Sequence, residues 1–77
     1  MEKDLIEYIA KSLVGDSADV SVNVVEGDDS LVLELTVSPD DIGKVIGRHG
    51  RIVKAIRVLL QTTVARSGKR AVLEILG

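Results

Sequence analysis

The segment KVIGRHGRIVKAI, from Lys44 to Ile56, has apolar residues at helical spacing but contains two glycines three positions apart. Glycine in a helix interior is unfavourable by about 0.5–1 kcal/mol relative to alanine. The pattern therefore predicts two helices joined by a tight turn, with Gly47 ending the first helix and Gly50 opening the second. Arg48 and His49 stand between the glycines and would project from that turn.

Such a turn is chemically suited to a phosphate backbone. Glycines lack the Cβ atoms that would keep a ligand backbone away, and N–H groups at a helix start favour an anion. Arg48 can pair with phosphate, and His49 can gain a positive charge beside it. Because the chain has one histidine and no cysteine, we expect no metal site.

Periodicity elsewhere predicts the remaining elements. Apolar residues at helical spacing indicate a first helix over residues 5–13 that stops at Gly15, and alternation indicates a β-hairpin over residues 20–24 and 31–37. The sequence SPDD predicts the next helix start, with Ser38 as N-cap and Asp41 completing a variant capping box. That helix ends at Gly47.

The last helix is predicted from Gly50 to about Ala65, and a final strand follows in AVLEIL. The order α-β-β-α-α-β predicts a single α+β domain over residues 1–77. We expect two layers, a three-stranded sheet with three helices on one face. The order of the strands in the sheet stays open.

Composition excludes several classes of function. Tyr8 is the only aromatic residue among 77, so platforms that stack bases on aromatic rings, as in RRM sheets and most OB-folds, are excluded. No GxxxxGK[ST] or GxGxxG motif is present, and no acid, base and nucleophile set can be assembled. We expect no cofactor, no small-molecule substrate and no enzymatic activity. Acidic residues near the N-terminus and the lack of a long apolar stretch predict a cytoplasmic protein without a membrane segment.

Charge is divided unevenly along the chain. Residues 1–41 hold eleven acidic and two basic side chains, whereas residues 42–77 hold eight basic and one acidic, so the halves carry −9 and +7. A polyanion would face the basic side, since local potential rather than net charge steers a phosphate backbone. The alternative is that the two halves attract each other within the fold.

The residues around the turn resemble the KH-domain core, in which aliphatic residues flank a Gly-x-x-Gly turn. Here the flanking residues are Val45, Ile46, Ile52 and Ile56. With the predicted element order, the chain resembles a type II KH domain from Leu5 to Ile75. It is similar to the small stand-alone bacterial KH proteins of the KhpA family.

The resemblance implies binding of single-stranded RNA in a narrow aliphatic groove. It assigns the backbone clamp to Gly47, Arg48, His49 and Gly50. The groove is supported or lined by aliphatic residues: Ile42, Val45, Ile46, Ile52 and Ile56. Lys44 precedes the turn, and Arg51 and Lys54 lie beside it on one polar arc of the last helix, so these three cations are predicted to extend the site. The alternative for Arg51 and Lys54 is an ordinary solvated helix face. The resemblance also implies a homodimer, pairing with a larger KH-domain protein, and roles in RNA chaperoning and control of cell envelope or cell shape.

Two points stay open at the level of sequence. Two readings are open for Arg57 and for the loop RSGKR, residues 66–70. Either they extend the basic surface that would contact RNA, or they are polar residues without a role in binding. Apolar residues also cover about half the circumference of the last helix, more than packing on a sheet needs, and Val58 stands isolated on its polar arc. A protein-interaction module with secondary RNA binding is therefore the alternative, with Val53, Leu60 and Val64 as the residues that would meet a second subunit.

Overall fold

The computed structural model describes residues 1–15 and 19–77, and the order α-β-β-α-α-β is confirmed. The helices and strands are α1 (Glu2–Leu13), β1 (Ser21–Glu26), β2 (Ser30–Thr36), α2 (Ile42–Ile46), α3 (Arg51–Val64) and β3 (Arg70–Leu76). Short 3-10 turns precede α2 and α3 and follow α3.

The sheet is mixed, and β2 is its central strand. β1 pairs with β2 in the antiparallel sense and β3 pairs with β2 in the parallel sense. The predicted hairpin is confirmed, with the Gly27 N–H donating to the Ser30 carbonyl at 2.8 Å. Parallel neighbours cannot be joined by a short turn. The chain from β2 to β3 therefore crosses over through α2 and α3, and this crossover holds the glycine turn.

One hydrophobic core lies between the sheet and the helical layer. Its largest fully buried side chains come from each helix and from β2: Ile6, Leu33, Leu35, Val45 and Leu60. Every second residue of β2 is buried, as the alternation of Leu31, Leu33 and Leu35 predicts. Within the described parts of the chain, no helix has the length and apolarity needed to cross a membrane.

One predicted helix boundary differs from the structure. The capping box at Ser38 was wrong, because the Ser38 side chain makes no capping hydrogen bond and the Asp41 N–H donates instead to the Ser38 carbonyl at 2.8 Å. The Asp41 carboxylate is largely buried and pairs with Lys44 at 3.1 Å. The first helix ends at Leu13, with an extended Val14 as its C-cap, one residue before Gly15.

The apolar surface of α3 also differs from the prediction. Val53, Leu60 and Val64 are buried in the core, so they cannot meet a second subunit. The large apolar side chains that α3 exposes are Val58, which is 65% exposed, and Leu59, which is 51% exposed. Apolar residues cover about half the circumference of α3 because its inner residues pack on the sheet while Val58 and Leu59 face outward.

Candidate nucleic-acid interface

The glycine turn joins α2 to α3 through three residues with positive φ. Gly47 has φ 77° and ψ 170°, His49 has φ 59° and ψ 22°, and Gly50 has φ 73° and ψ 16°. The first of these conformations is essentially restricted to glycine, and the other two are left-handed. α2 therefore ends, and α3 begins in a new direction, within four residues, as the sequence predicts.

The two glycines are required for different reasons. A Cβ on Gly47 would lie 2.5 Å from Cγ1 of Ile52, so the backbone at Gly47 is packed directly against that side chain. A Cβ on Gly50 would meet only ordinary contacts, 3.9 Å from Lys54 and Val53. Gly50 is thus needed for its left-handed backbone, whereas Gly47 is needed for both conformation and space.

Backbone N–H groups of the turn are left available to a ligand. The Gly50 N–H donates to the Gly47 carbonyl at 3.1 Å, and the Arg51 N–H donates to the Arg48 carbonyl. The N–H groups of Arg48 and His49 have no backbone acceptor among the described residues. A left-handed residue after a right-handed one turns successive N–H groups to one side, an arrangement that binds anions.

Four potentially cationic side chains surround this turn. Arg48, His49, Arg51 and Lys54 are all exposed, and the stem of Lys54 lies beside Gly50. The predicted cluster is therefore brought together by the turn and the first turn of α3. An anion held at the N–H groups of Arg48 and His49 would lie within a positive field.

Lys44, which the resemblance adds to this cluster, is directed elsewhere. Its Nζ lies 3.1 Å from Oδ1 of Asp41, and a Cβ placed on Gly15 would lie 3.6 Å from the same Nζ. Lys44 thus points toward the end of α1 and neutralises a largely buried carboxylate. Any contribution that it makes to an anion at the turn is long-range.

The aliphatic residues around the turn separate into two groups by burial. Val45 is 0% exposed and Ile56 is also buried, so neither can touch a ligand and both act as support. Ile42, Ile46 and Ile52 are half-buried and pack on the core from outside. Ile46 precedes the turn and Ile52 packs against Gly47, so these two offer apolar surface beside the turn, whereas Ile42 lies against the C-terminal Gly77. Val45 is too buried to be one of the predicted contact residues.

Arg57 and Gln61 on α3 bond to the outer edge of β3. Arg57 Nη2 donates to the Leu73 carbonyl at 3.4 Å, the Gln61 amide donates to the Ala71 carbonyl, and the Ala71 N–H donates to Gln61 Oε1 at 3.5 Å. These side chains occupy backbone groups that an edge strand would otherwise expose. No local sequence signal predicts this role, because it depends on where β3 lies.

In the loop of residues 66–70, Lys69 is engaged in a contact within the fold. Lys69 pairs with Glu26, and this hydrogen bond and the Lys69 charge lower the pKa of the Glu26 carboxyl. A surface crevice beside the loop is lined by Asp29, Ser30, Gln61, Gly68, Lys69 and Arg70. The 14 residues of α3 place this crevice about 20 Å from the glycine turn. It is a separate feature of the surface.

The opposite charges of the two halves of the chain are not cancelled by ion pairs within the fold. Among residues 1–15 and 19–77, Lys69 with Glu26 is the ion pair that joins the basic half to the acidic half across the fold. The other two pairs are local, Lys11 with Glu7 and Lys44 with Asp41. Lys44 with Asp41 and Lys69 with Glu26 are thus the pairs between the two halves, and the other six basic side chains of residues 42–77 have no ion-pair partner among the described residues, which favours a basic side open to a polyanion.

Metal ligands do not converge at this site. In the described part of the chain, no group of three His, Cys, Asp or Glu side chains could hold a metal ion. The chemistry available at the turn is therefore that of N–H donors, cations and aliphatic surface.

The sequence of this chain is similar to the sequences of known proteins. A model of the KH domain of KhpA and KhpB matches residues 3–75. RNA-binding protein KhpA of Clostridium perfringens is 53% identical over 74 residues, which cover 96% of this chain and 99% of that protein. RNA-binding protein KhpA of Borreliella burgdorferi is 53% identical over 75 residues, 97% of this chain and 92% of its own.

Solved structures show the same fold. A crystal structure of Aquifex aeolicus Era matches with a TM-score of 0.62 at 22% identity, covering 97% of this chain but 29% of the Era chain. A second Era structure, of a complex with a segment of 16S ribosomal RNA, matches equally well. The fold, the turn geometry and the two close relatives agree, and the chain belongs to the KhpA/KhpB family of KH domains.

Proposed function

We propose that this domain binds single-stranded RNA without catalysing a reaction. The observation that carries the proposal is the turn from Gly47 to Gly50, whose unpaired N–H groups at Arg48 and His49 lie among exposed cations. A phosphate of the RNA backbone is held there, and bases lie on Ile46 and Ile52. The names of the KhpA relatives and the RNA-bound Era structure support this assignment.

Charge reversal at the turn tests the clamp. Replacing Arg48 and His49 by Asp puts two carboxylates against phosphate, and we expect binding of a short single-stranded RNA to fall below detection in fluorescence anisotropy. The fold survives because both side chains are exposed and Asp tolerates the left-handed conformation of His49.

A matched control separates the clamp from net charge. Lys3→Asp with Ser12→Asp changes the charge by the same −3 on the exposed surface of α1, and we expect this variant to bind RNA almost as well as wild type. Wild-type affinity in the Arg48→Asp/His49→Asp variant would refute the clamp. An equal loss in both variants would show that net charge alone drives binding.

We further propose that the domain works as one of a pair of KH domains, in the cytoplasm, as an RNA chaperone or post-transcriptional regulator linked to cell envelope or cell shape control. A groove that holds about four nucleotides binds weakly, and joining two grooves raises the effective affinity without new contacts. The second domain is a second copy of the chain or a larger KH-domain protein.

The exposed face of α3 supports docking of the larger partner. Val58 and Leu59 lie on a helix that has three basic residues and no acidic one. Helical spacing puts Ala55, Thr62 and Thr63 beside these two residues, and Arg57 is bonded to β3, so the face carries little charge and suits an apolar face on the partner. This surface is also the basis for the alternative function, a protein-interaction module in which RNA binding is secondary.

The alternative is tested by Leu59→Asp, with the turn left intact. We expect this variant to bind RNA like wild type but to lose association with the larger KH-domain protein in sedimentation velocity. If RNA binding at the turn is already undetectable in wild type while the partner still binds, the alternative function is correct.

A further inference from the structure

The two edge strands of the sheet differ in how their outer backbone groups are satisfied. At the β3 edge, Arg57 and Gln61 of α3 bond to the strand backbone. β1 forms the opposite edge, and no side chain among the described residues bonds to its outer backbone groups. An uncovered edge strand is a template on which another extended segment can pair.

The register of the hairpin shows which residues of β1 face outward. The Gly27 N–H donates to the Ser30 carbonyl, so these two residues form a hydrogen-bonded pair. Such pairs alternate with non-hydrogen-bonded pairs along an antiparallel ladder, and the register continues through β1 without a bulge. Val22, Val24 and Glu26 therefore point their N–H and C=O groups away from β2. Because Val22 is buried, the open stretch of the edge runs from Val24 to Glu26.

Both faces of the sheet are apolar beside this open stretch. Val24 lies opposite the core residue Leu33, so it points to the helical layer, where it is 37% exposed. Val25 points to the other face and is 51% exposed. A strand added beside β1 would cover Val24 with one side chain and Val25 with the next, since successive side chains point to opposite faces. Cross-strand contacts of this kind stabilise a sheet.

The surroundings of the open edge are acidic. Residues 19–36, which include the hairpin, contain no Lys or Arg and five acidic side chains: Asp19, Glu26, Asp28, Asp29 and Glu34. Glu2 lies at the same end of the molecule, since it lines a crevice together with Glu26. In the described chain, one ion pair reaches this group, between Lys69 and Glu26. The local potential therefore attracts a basic segment.

We propose that β1 binds an extended basic segment of another protein as a fourth strand of the sheet. The backbone of that segment bonds to the open N–H and C=O groups of Val24 and Glu26. Its aliphatic side chains pack beside Val24 and Val25, and its Lys or Arg residues face the acidic hairpin. In strand addition of this kind the main chain provides affinity, and contacts of alternate side chains provide selectivity.

Charge distinguishes this occupant from two others. A second copy of the chain offers the same acidic hairpin, so it lacks the complementary charge. RNA carries phosphates, which the carboxylates around the edge repel. The edge therefore suits a basic polypeptide.

The open edge is also distant from the glycine turn. The crevice at Glu26 is lined by Val64, the last residue of α3, whereas the turn precedes the first residue of that helix. The 14 residues of α3 span about 20 Å. An added strand thus leaves the turn accessible, and the inference goes beyond RNA binding and does not depend on it.

A synthetic peptide of stated sequence, fluorescein-labelled KKVTVTVKK, tests the proposal. We expect it to bind in fluorescence anisotropy at low salt and to slow the amide hydrogen exchange of Val24 and Glu26 in NMR spectra. Exchange of Asn23 and Val25 should change little, because their N–H groups already face β2. Charge attraction without strand pairing would leave the exchange of Val24 and Glu26 unchanged.

Two matched peptides separate strand pairing from charge. The same peptide N-methylated throughout its central VTVTV keeps the charges but loses the backbone donors, and we expect its affinity to be lower by about tenfold or more. The acidic peptide EEVTVTVEE keeps the central strand but reverses the charges, and we expect no binding.

A substitution at the edge tests the same contact from the side of the protein. Val24→Pro removes an N–H that β2 does not use, a position where proline is tolerated in edge strands, and should lower the affinity about tenfold or more. Val24→Thr keeps both the N–H and the β-branched shape and should bind like wild type. If Val24→Pro is unfolded in NMR spectra, the N-methylated peptide decides the question.

Four results would each overturn the proposal: no binding of KKVTVTVKK, equal binding of the N-methylated peptide, unchanged exchange at Val24 and Glu26 in the bound state, or binding of EEVTVTVEE. Slowed exchange at these amides in concentrated protein alone would assign the edge to a second copy. Slowed exchange with single-stranded oligouridylate would assign it to RNA. The Arg48→Asp/His49→Asp variant should bind KKVTVTVKK at least as well as wild type, so failure of the clamp and failure of the edge are distinguishable.

Discussion

At the scale of single residues, three glycines near the interface have three different physical roles. Gly43 lies in α2 in an exposed position with open space around it, and its φ is not positive. Gly50 has a left-handed backbone with room for a methyl group, and Gly47 has both a glycine-only conformation and no room. A single substitution to alanine distinguishes them.

We expect Gly43→Ala to stabilise the domain by about 0.5–1 kcal/mol, because alanine loses less entropy in a helix. Gly50→Ala should be destabilising by about 1 kcal/mol, the penalty of a left-handed alanine. Gly47→Ala should be destabilising by about 3 kcal/mol or more, since Ile52 must also move. Urea denaturation measures all three, and equal values for Gly47→Ala and Gly50→Ala would contradict the role of Ile52.

At the scale of elements, the contact between α3 and β3 keeps the edge of the sheet closed. Gln61 exchanges two hydrogen bonds with the backbone of Ala71, in the manner of a neighbouring strand. Removing this side chain leaves the Ala71 N–H exposed to water, but leaves the core untouched because Gln61 itself is exposed.

Gln61→Ala should therefore accelerate amide hydrogen exchange at Ala71, with a loss of stability of about 1 kcal/mol. Thr62→Ala is the matched control, since the Thr62 hydroxyl donates to the Val58 carbonyl of its own helix. NMR-detected exchange reports each amide. Unchanged protection of Ala71 in Gln61→Ala would show that the edge is held by packing alone.

The pair of Lys69 and Glu26 joins the loop before β3 to the end of β1. The Lys69 hydrogen bond and charge lower the pKa of Glu26, so the pair stabilises the fold above the ordinary carboxyl pKa and is lost as pH falls through the lowered value. In Lys69→Met, the pKa of Glu26 should rise toward its ordinary value in a carboxyl NMR titration. Lys11→Met, which breaks the local pair with Glu7, should leave Glu26 unchanged.

At the scale of the whole molecule, the proposed RNA site is a basic cluster on a domain whose net charge is acidic. The net charge of −2 opposes binding at long range, whereas the uncompensated cations at the turn attract a phosphate locally. Affinity for single-stranded RNA should fall as salt rises, with a logarithmic slope of about 0.7 for each phosphate neutralised.

Replacing Arg48 by Ala should lower that slope by about 0.7, the contribution of one phosphate contact. Replacing Lys44 by Ala should leave the slope almost unchanged, because Lys44 is paired with Asp41. A salt titration of RNA binding by fluorescence anisotropy measures both variants. Equal changes in slope would show that Lys44 leaves Asp41 to contact RNA.

The element order and the glycine turn were determined by the sequence alone. Both rest on local physics: hydrophobic period distinguishes the helices from the strands, and the two glycines permit backbone conformations that other residues avoid. Arg48, His49, Arg51 and Lys54 come together for the same reason, since each lies within one helical turn of Gly47 or Gly50.

Only the tertiary structure decided which side chains near the site are available to a ligand. Whether Val53 faces a partner or the core, and whether Arg57 faces solvent or β3, depends on β3 pairing in parallel with β2 and on α3 lying over that edge. The direction of the Lys44 side chain, away from the turn, likewise depends on the burial of Asp41. Such contacts join segments that are distant in the chain or depend on how closely the layers pack. A local pattern of residue types does not predict either of these.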